Sequence, residues 1–194
     1  ALWNEIPVIV KTFSHKISAR RHLSREIKGL TQLQKRGLNS ANPLFYGRVG
    51  DGRWAVVIQK IVNSATVLKE FTEKTEKHKI LDLLMQVCRE LAKQHSKGVV
   101  QKDLHLGNFL QAEDQIYILD PGQMQFFSQQ VPKTKSLSQL ALLVCCLPAD
   151  DTTSAEALYK EYFKTRGWRF QPTDKSLLSR QLLLHREKGI RHGL

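Results

Sequence analysis

Asp103 and Asn108 stand five residues apart in Gln101-Lys102-Asp103-Leu104-His105-Leu106-Gly107-Asn108, and Asp120 follows twelve residues later in Asp120-Pro121-Gly122. An acid, an amide and a second acid in this order suit phosphoryl transfer. One carboxylate orients the attacking hydroxyl and accepts its proton. The amide and the other carboxylate hold Mg²⁺ against nucleotide phosphates. Oxygen donors are the right type, because Mg²⁺ keeps a near-octahedral shell of hard oxygen ligands.

These residues need elements to position them. Ile6–Phe13 is β-rich and reads as a strand that includes Lys11. Residues 18–35 carry Leu23, Ile27, Leu30 and Leu33 at near-helical spacing, with Gly37 as the stop. Residues 45–49 and 54–61 flank Gly50-Asp51-Gly52 and predict a hairpin. Residues 63–73 are polar and without periodicity. Residues 76–97 form the strongest helix, with Ile80, Leu83, Leu84, Val87 and Leu91 on one face and Gly98 as terminator. Short strands are expected at Val99-Val100 and over 116–119. A helix begins near Lys135 and stops at Pro148. Thr153-Ser154-Ala155-Glu156 reads as a capping box for a helix running to Thr165, closed by Gly167. Residues 176–188 form a last basic helix.

Here a resemblance enters. Asp103, Leu104 and Asn108 match the H-R-D-L-x-x-x-N loop of protein-kinase-like enzymes, with Gln101 and Lys102 in place of His and Arg. Asp120 and Gly122 match the D-F-G metal motif, with Pro121 in place of Phe. Val8-Ile9-Val10-Lys11 resembles the V-A-I-K strand, and Glu26 lies fifteen residues on, in the following helix. The resemblance implies an α+β, two-lobe kinase-like fold: an N-lobe over 1–62 with a small antiparallel sheet, and a helical C-lobe over 63–194. It implies Asp103 as catalytic base, Lys11 on the α/β-phosphates, Glu26 as the partner of Lys11, and Asn108 and Asp120 as Mg²⁺ ligands. Residues 58–62 would be the hinge touching adenine, with Gln59 and Ile61 as binding positions. ATP and Mg²⁺ are the implied cofactors.

The pattern His105, Gly107, Asn108-Phe109-Leu110 is closer to small-molecule and sugar kinases than to protein kinases. About fifteen residues separate Asp120 from the helix near Lys135, and no A-P-E motif appears. The set is most similar to the lipopolysaccharide kinase family, the Kdo and core heptose kinases. That implies phosphorylation of an inner-core sugar hydroxyl on the cytoplasmic face of the inner membrane. His105 would contact phosphate or the metal-site loop. An atypical Ser/Thr kinase or an aminoglycoside-type phosphotransferase is the enzymatic alternative. Ten residues precede Lys11 and none is Gly, so the first hairpin with its Gly-rich loop is expected to be missing. A pseudokinase that binds a partner or an anionic glycolipid is the non-enzymatic alternative.

Composition fits this reading. The 194 residues are 41% hydrophobic with a net charge of +12, which excludes a disordered or collagen-like chain and calls for an anionic partner. Residues 11–36 hold eight Lys/Arg against Glu26, and residues 164–194 hold eight against Asp174 and Glu187. Such segments suit an anionic sugar or glycolipid and peripheral contact with an anionic membrane surface. No nucleic-acid motif accompanies the charge, so no nucleic-acid partner is expected. No apolar run reaches spanning length, the longest being 140–147, and no secretory signal is visible. The first residue is not Met, so an upstream segment is expected to have been removed or left out. Cys88, Cys145 and Cys146 are odd in number, arguing against a disulfide framework and for a reducing cytosol.

Overall fold

The computed structural model describes residues 1–14, 17–50, 52–74, 76–187 and 189. Lys16, Asp51 of the Gly50–Gly52 turn, Lys188 at the expected end of the last helix, and residues 190–194 of the second basic segment lie outside the described residues. The fold is α+β, with a curled antiparallel sheet and six helices among the described residues. The chain divides into two compact units, 1–64 with 110–124, and 65–109 with 125–194.

In the first unit, β1 (Leu2–Trp3), β2 (Ile6–Phe13), β3 (Pro43–Arg48) and β4 (Trp54–Gln59) form a sheet in the order β1-β2-β4-β3. All neighbours are antiparallel, and Lys11 stands opposite Val56. Ala55, Val56 and Val57 are buried, so the β-branched centre of β4 carries the sheet's apolar face. Helix α1 (Ala19–Lys35) lays Leu23 and Leu30 on Val56, flanked by Phe13, Ile27, Trp54 and Ile58. Gly37 ends it at φ +65°, where a side chain would be strained.

At the edge of this sheet Leu2–Trp3 pairs with Ile6–Pro7 through a short reversal at Asn4 and Glu5, at φ 46° and 67°, which contains no glycine.

The remaining part of this unit holds most of β7 (Phe109–Ala112) and all of β8 (Gln115–Ile118). The Ile118 amide donates to the Asn39 carbonyl at 2.9 Å, and Asn39 Nδ2 donates to the Gln115 side chain and the Ile116 carbonyl. These bonds fasten the segment leading to Asp120 behind α1. Strands β5 (Ser64–Thr66), β7 and β9 (Met124–Phe126) lie where the chain crosses between units.

The second unit holds α2 (Val67–Glu73), α3 (Lys77–Ser96), β6 (Val99–Gln101), α4 (Lys133–Val144), α5 (Thr152–Arg166) and α6 (Pro172–Glu187). Helix α3 packs on α5, and α4 on α6. Leu84, Leu91, Leu137, Leu140, Leu158 and Tyr162 are fully buried between them.

Three local expectations need correction. Residues 67–73 are helical although they lack a stripe: Thr66 accepts the Lys69 amide as N-cap, and only Val67 is buried. Helix α5 is capped by Asp151, whose side chain accepts the Ser154 amide at 3.2 Å, so Thr153 lies inside the helix and heads no capping box. Helix α4 ends at Val144 rather than at Pro148, because the Cys146 and Leu147 amides bond three residues back to Leu143 and Val144. All three cysteines are free; Cys88 and Cys146 are buried. No helix among the described residues is long and apolar enough to cross a membrane.

Candidate active site

Glu26 is the residue to start from. Leu23, Glu26, Leu30 and Leu33 share one face of α1, and all four are buried. A carboxylate on an apolar stripe must find a cation or lose its charge. It finds Lys11, which β2 presents beside α1: Lys11 Nζ lies 3.1 Å from Glu26 Oε1. The same ammonium lies 2.5 Å from Asp120 Oδ1. Three residues separated by up to 109 positions thus meet around one nitrogen.

Asp120 reaches this point through a strained local conformation. Ile116 and Ile118 are buried and fix β8, after which Asp120 adopts φ 50°, ψ 52°. Asp tolerates this left-handed region better than most residues. A short 3-10 turn, Pro121–Gln123, then packs against α1. Gly29 makes that contact close. A Cβ there would stand 2.4 Å from the Pro121 carbonyl oxygen. Gly122 is less constrained, since its Cβ would stand 2.8 Å from Glu26 Oε2, the movable end of a side chain. The Gly122 amide donates to the Glu26 carboxylate. Gly29 and Gly122 therefore set the approach of the Asp120 segment to α1. Sequence reading passed over Gly29, whose only signal is a helix-interior glycine on a buried face.

The electrostatics follow from exposure. Burial pushes the Glu26 carboxyl above its usual range, and Lys11 pulls against it. Burial works to lower the Lys11 ammonium, but bonding to Asp120 and the charges of Glu26 and Asp120 outweigh it, leaving Lys11 raised. The Lys11 and Asp120 side chains are 38% and 44% exposed, so solvent screens much of this attraction.

The Asp103 loop belongs to the second unit and is built differently. β6 is wholly buried and delivers Gln101 into the interior. Leu104, Leu106 and Phe109 are buried anchors, whereas the Asp103 side chain is 70% exposed. Asn108 Nδ2 donates to the Asp103 carbonyl at 2.7 Å, which closes the loop and orients the amide. His105 Nε2 lies 3.9 Å from Asp103 Oδ2. A Cβ on Gly107 would meet the His105 ring at 2.9 Å, so Gly107 gives that ring its place.

Beneath the loop runs a buried polar network absent from the sequence reading. Gln139 Nε2 donates to the Gln101 carbonyl, and Gln101 Nε2 donates to Gln94 Oε1 at 3.0 Å. His95 Nε2 meets Gln139 Oε1 at 2.8 Å, and its Nδ1 meets the Tyr162 hydroxyl at 2.5 Å. An amide oxygen only accepts, so His95 carries its proton on Nε2 and Nδ1 accepts from Tyr162. Arg166 donates to the Tyr162 hydroxyl and to Ser136. Burial lowers the His95 pKa to about 3, with the Arg166 charge assisting, which keeps the imidazole neutral.

Of the expected hinge positions, Gln59 and Ile61 line a polar cavity of about 320 Å³ with Asn42, Glu113 and Tyr117. The Gln59 amide is committed to the Asn42 carbonyl and the Lys60 amide to the Pro7 carbonyl. The Ile61 carbonyl accepts from the Ser64 hydroxyl at 2.6 Å. Those groups stabilise the sheet end.

Among the described residues no three His, Cys, Asp or Glu gather as a metal cluster. The expected Mg²⁺ ligands lie in different units, Asn108 in the second and Asp120 in the first, and only their donor chemistry can be compared with what Mg²⁺ requires. Asn108 spends its amide nitrogen on Asp103, leaving its oxygen as the ligating atom. Asp120 engages Lys11 through Oδ1 and keeps Oδ2. Both donors are hard oxygens, and Mg²⁺ sites use one or two such groups plus substrate phosphates. Compared with protein-family models and with curated proteins, the chain matches none.

Proposed function

We propose that this chain is a protein-kinase-like phosphotransferase that transfers the γ-phosphoryl group of ATP to a sugar hydroxyl. The acceptor is an anionic sugar or glycolipid of the lipopolysaccharide inner core, Kdo or heptose. The carrying observation is Lys11 held between the Glu26 and Asp120 carboxylates, the arrangement a phosphate-neutralising lysine needs. Glu26 keeps Lys11 extended, and Lys11 neutralises the α/β-phosphates. Asp103, exposed on an anchored loop, orients the acceptor hydroxyl and takes its proton as the new O–P bond forms and the β–γ bridging O–P bond breaks, releasing ADP. Asn108 and Asp120 would hold Mg²⁺, which when bound supplies charge neutralisation of the phosphates.

Two features favour a non-peptide acceptor. Only twelve residues separate Asp120 from α4, too few for a long peptide-docking segment. Helix α1 turns Arg20, Arg21, Arg25 and Lys28 to solvent, which suits an acidic acceptor near an anionic membrane surface.

The test is phosphate transfer from ATP with Mg²⁺ to isolated inner-core glycolipid. Asp103→Ala should cut turnover by about 10²–10⁴-fold while nucleotide binding survives. Unchanged turnover in that variant overturns the assignment. Nucleotide binding by the wild type without turnover on any sugar acceptor would instead assign a pseudokinase.

A further inference from the structure

The reversal at Asn4–Glu5 carries an acidic side chain and no glycine, so it offers no cradle for phosphate. Helix α1 offers other donors. His22 and Arg25 are one turn apart and exposed, and together they line a cavity of about 170 Å³ with Lys11, Asp120, Gly122 and Gln123. Neither side chain makes a hydrogen bond or ion pair with another described residue, whereas the Lys11 side chain beside them makes two. Their polar atoms are therefore available to a ligand.

Charge sets what that ligand is. Lys11 and Arg25 balance Glu26 and Asp120. A divalent cation on Asp120 would leave the cavity positive, and a positive cavity with a free guanidinium fork selects a phosphate-type anion. The cavity is roughly five times the ~30 Å³ share of one water, room for a phosphate group.

We infer that Arg25, assisted by His22, binds the terminal phosphates of the nucleoside triphosphate and forms a phosphate clamp on α1. The inference rests on the kinase reading above. It adds a positive charge at the transferred group, where developing negative charge is spread over the phosphoryl oxygens.

The experiment is calorimetric titration of the chain with ATP and with AMP, both with Mg²⁺, alongside steady-state transfer. Arg25→Ala should weaken ATP binding tenfold or more and leave AMP binding and thermal midpoint unchanged. Arg25→Lys should recover part of the loss, and His22→Ala should cost a few-fold. Lys11→Ala separates the two claims. Loss of ATP affinity in Lys11→Ala but not in Arg25→Ala overturns the clamp and keeps the kinase reading. No ATP binding by the wild type overturns the kinase reading itself. An Arg25→Ala effect confined to the KM of the acceptor, with ATP binding intact, overturns the clamp and assigns Arg25 to the acceptor's own anionic group.

Discussion

In the first unit Asp120 is bonded to Lys11, which also meets Glu26, so three formal charges share one partly exposed site. In the second, the strand leading to Asp103 rests on Gln94, Gln101, Gln139, His95 and Tyr162, neutral groups within a buried core. The contrast suits the proposed function. In that reading Asp120 and Lys11 would exchange partners when phosphates and a cation arrive, and ion pairs open to solvent do so at low cost. Asp103 would stay where the loop puts it. Neutral hydrogen bonds in a dry interior resist rearrangement, because each broken bond leaves an orphan that water cannot reach. One region is held adjustably and the other rigidly.

Removing the centre of the buried network should give the largest effect. Tyr162→Ala opens a fully buried site and leaves His95 Nδ1 without its partner, so urea unfolding should show a loss of about 3–5 kcal/mol. A loss below about 1 kcal/mol would mean the network does not support the second unit.

Proton linkage distinguishes the regions next. Burial pushes the Glu90 carboxyl on α3 up to about 7, and its Oε1 has no partner among the described residues. The stability tied to Glu90 is full below pH 4.5, the ordinary value, and is lost as pH rises to about 7. His95 acts in the opposite sense: its contribution is full above pH 6.5 and is lost as pH falls toward 3. Where these windows overlap, from pH 4.5 to 6.5, the two slopes cancel and the joint contribution of Glu90 and His95 should be flat. Glu90→Gln should remove the alkaline loss, of about 3 kcal/mol, and leave a curve rising toward pH 6.5. An unaltered pH profile in Glu90→Gln would show that this carboxyl is not held neutral.

Gly29→Ala should cost about 1–3 kcal/mol through the contact with Pro121. It should also abolish the thermal shift produced by ATP with Mg²⁺, because Asp120 is carried on the displaced turn. A shift equal to wild type would show that Asp120 is not positioned by α1. Glu26→Gln should have the smallest effect on folding, about 1 kcal/mol or less, because the amide removes the burial cost of the charge together with its attraction to Lys11. A loss as large as that of Tyr162→Ala would erase the distinction between the two regions.

Much of the first unit was readable from residue types. Strand β2 matches its expected limits, and α1 begins one residue inside its expected start. The pairing of Lys11 with Glu26 was legible only through the resemblance to the kinase-like strand lysine and helix glutamate; by its own spacing Glu26 reads as an ordinary helix charge. Helix α2 was not legible, since one buried valine makes no period and its start depends on a Thr66 cap. Nor was the network under Gln101. Gln139 and Tyr162 lie 38 and 67 positions from their partners, so no local pattern registers them.

Sequence alone determined the chemical inventory and the local periods: a lysine in an apolar strand, a carboxylate on a helix's apolar face, and an acid and an amide flanking a loop with buried leucine anchors. These are short-range properties, written within one or two turns of chain. Tertiary structure decided which carboxylates meet Lys11. That depended on residues 110–124 returning to the first unit, on Asn39 holding β8, and on the notch at Gly29 that admits the Pro121 carbonyl. Close approach is a property of surfaces in space, and no spacing along the chain encodes which two surfaces fit.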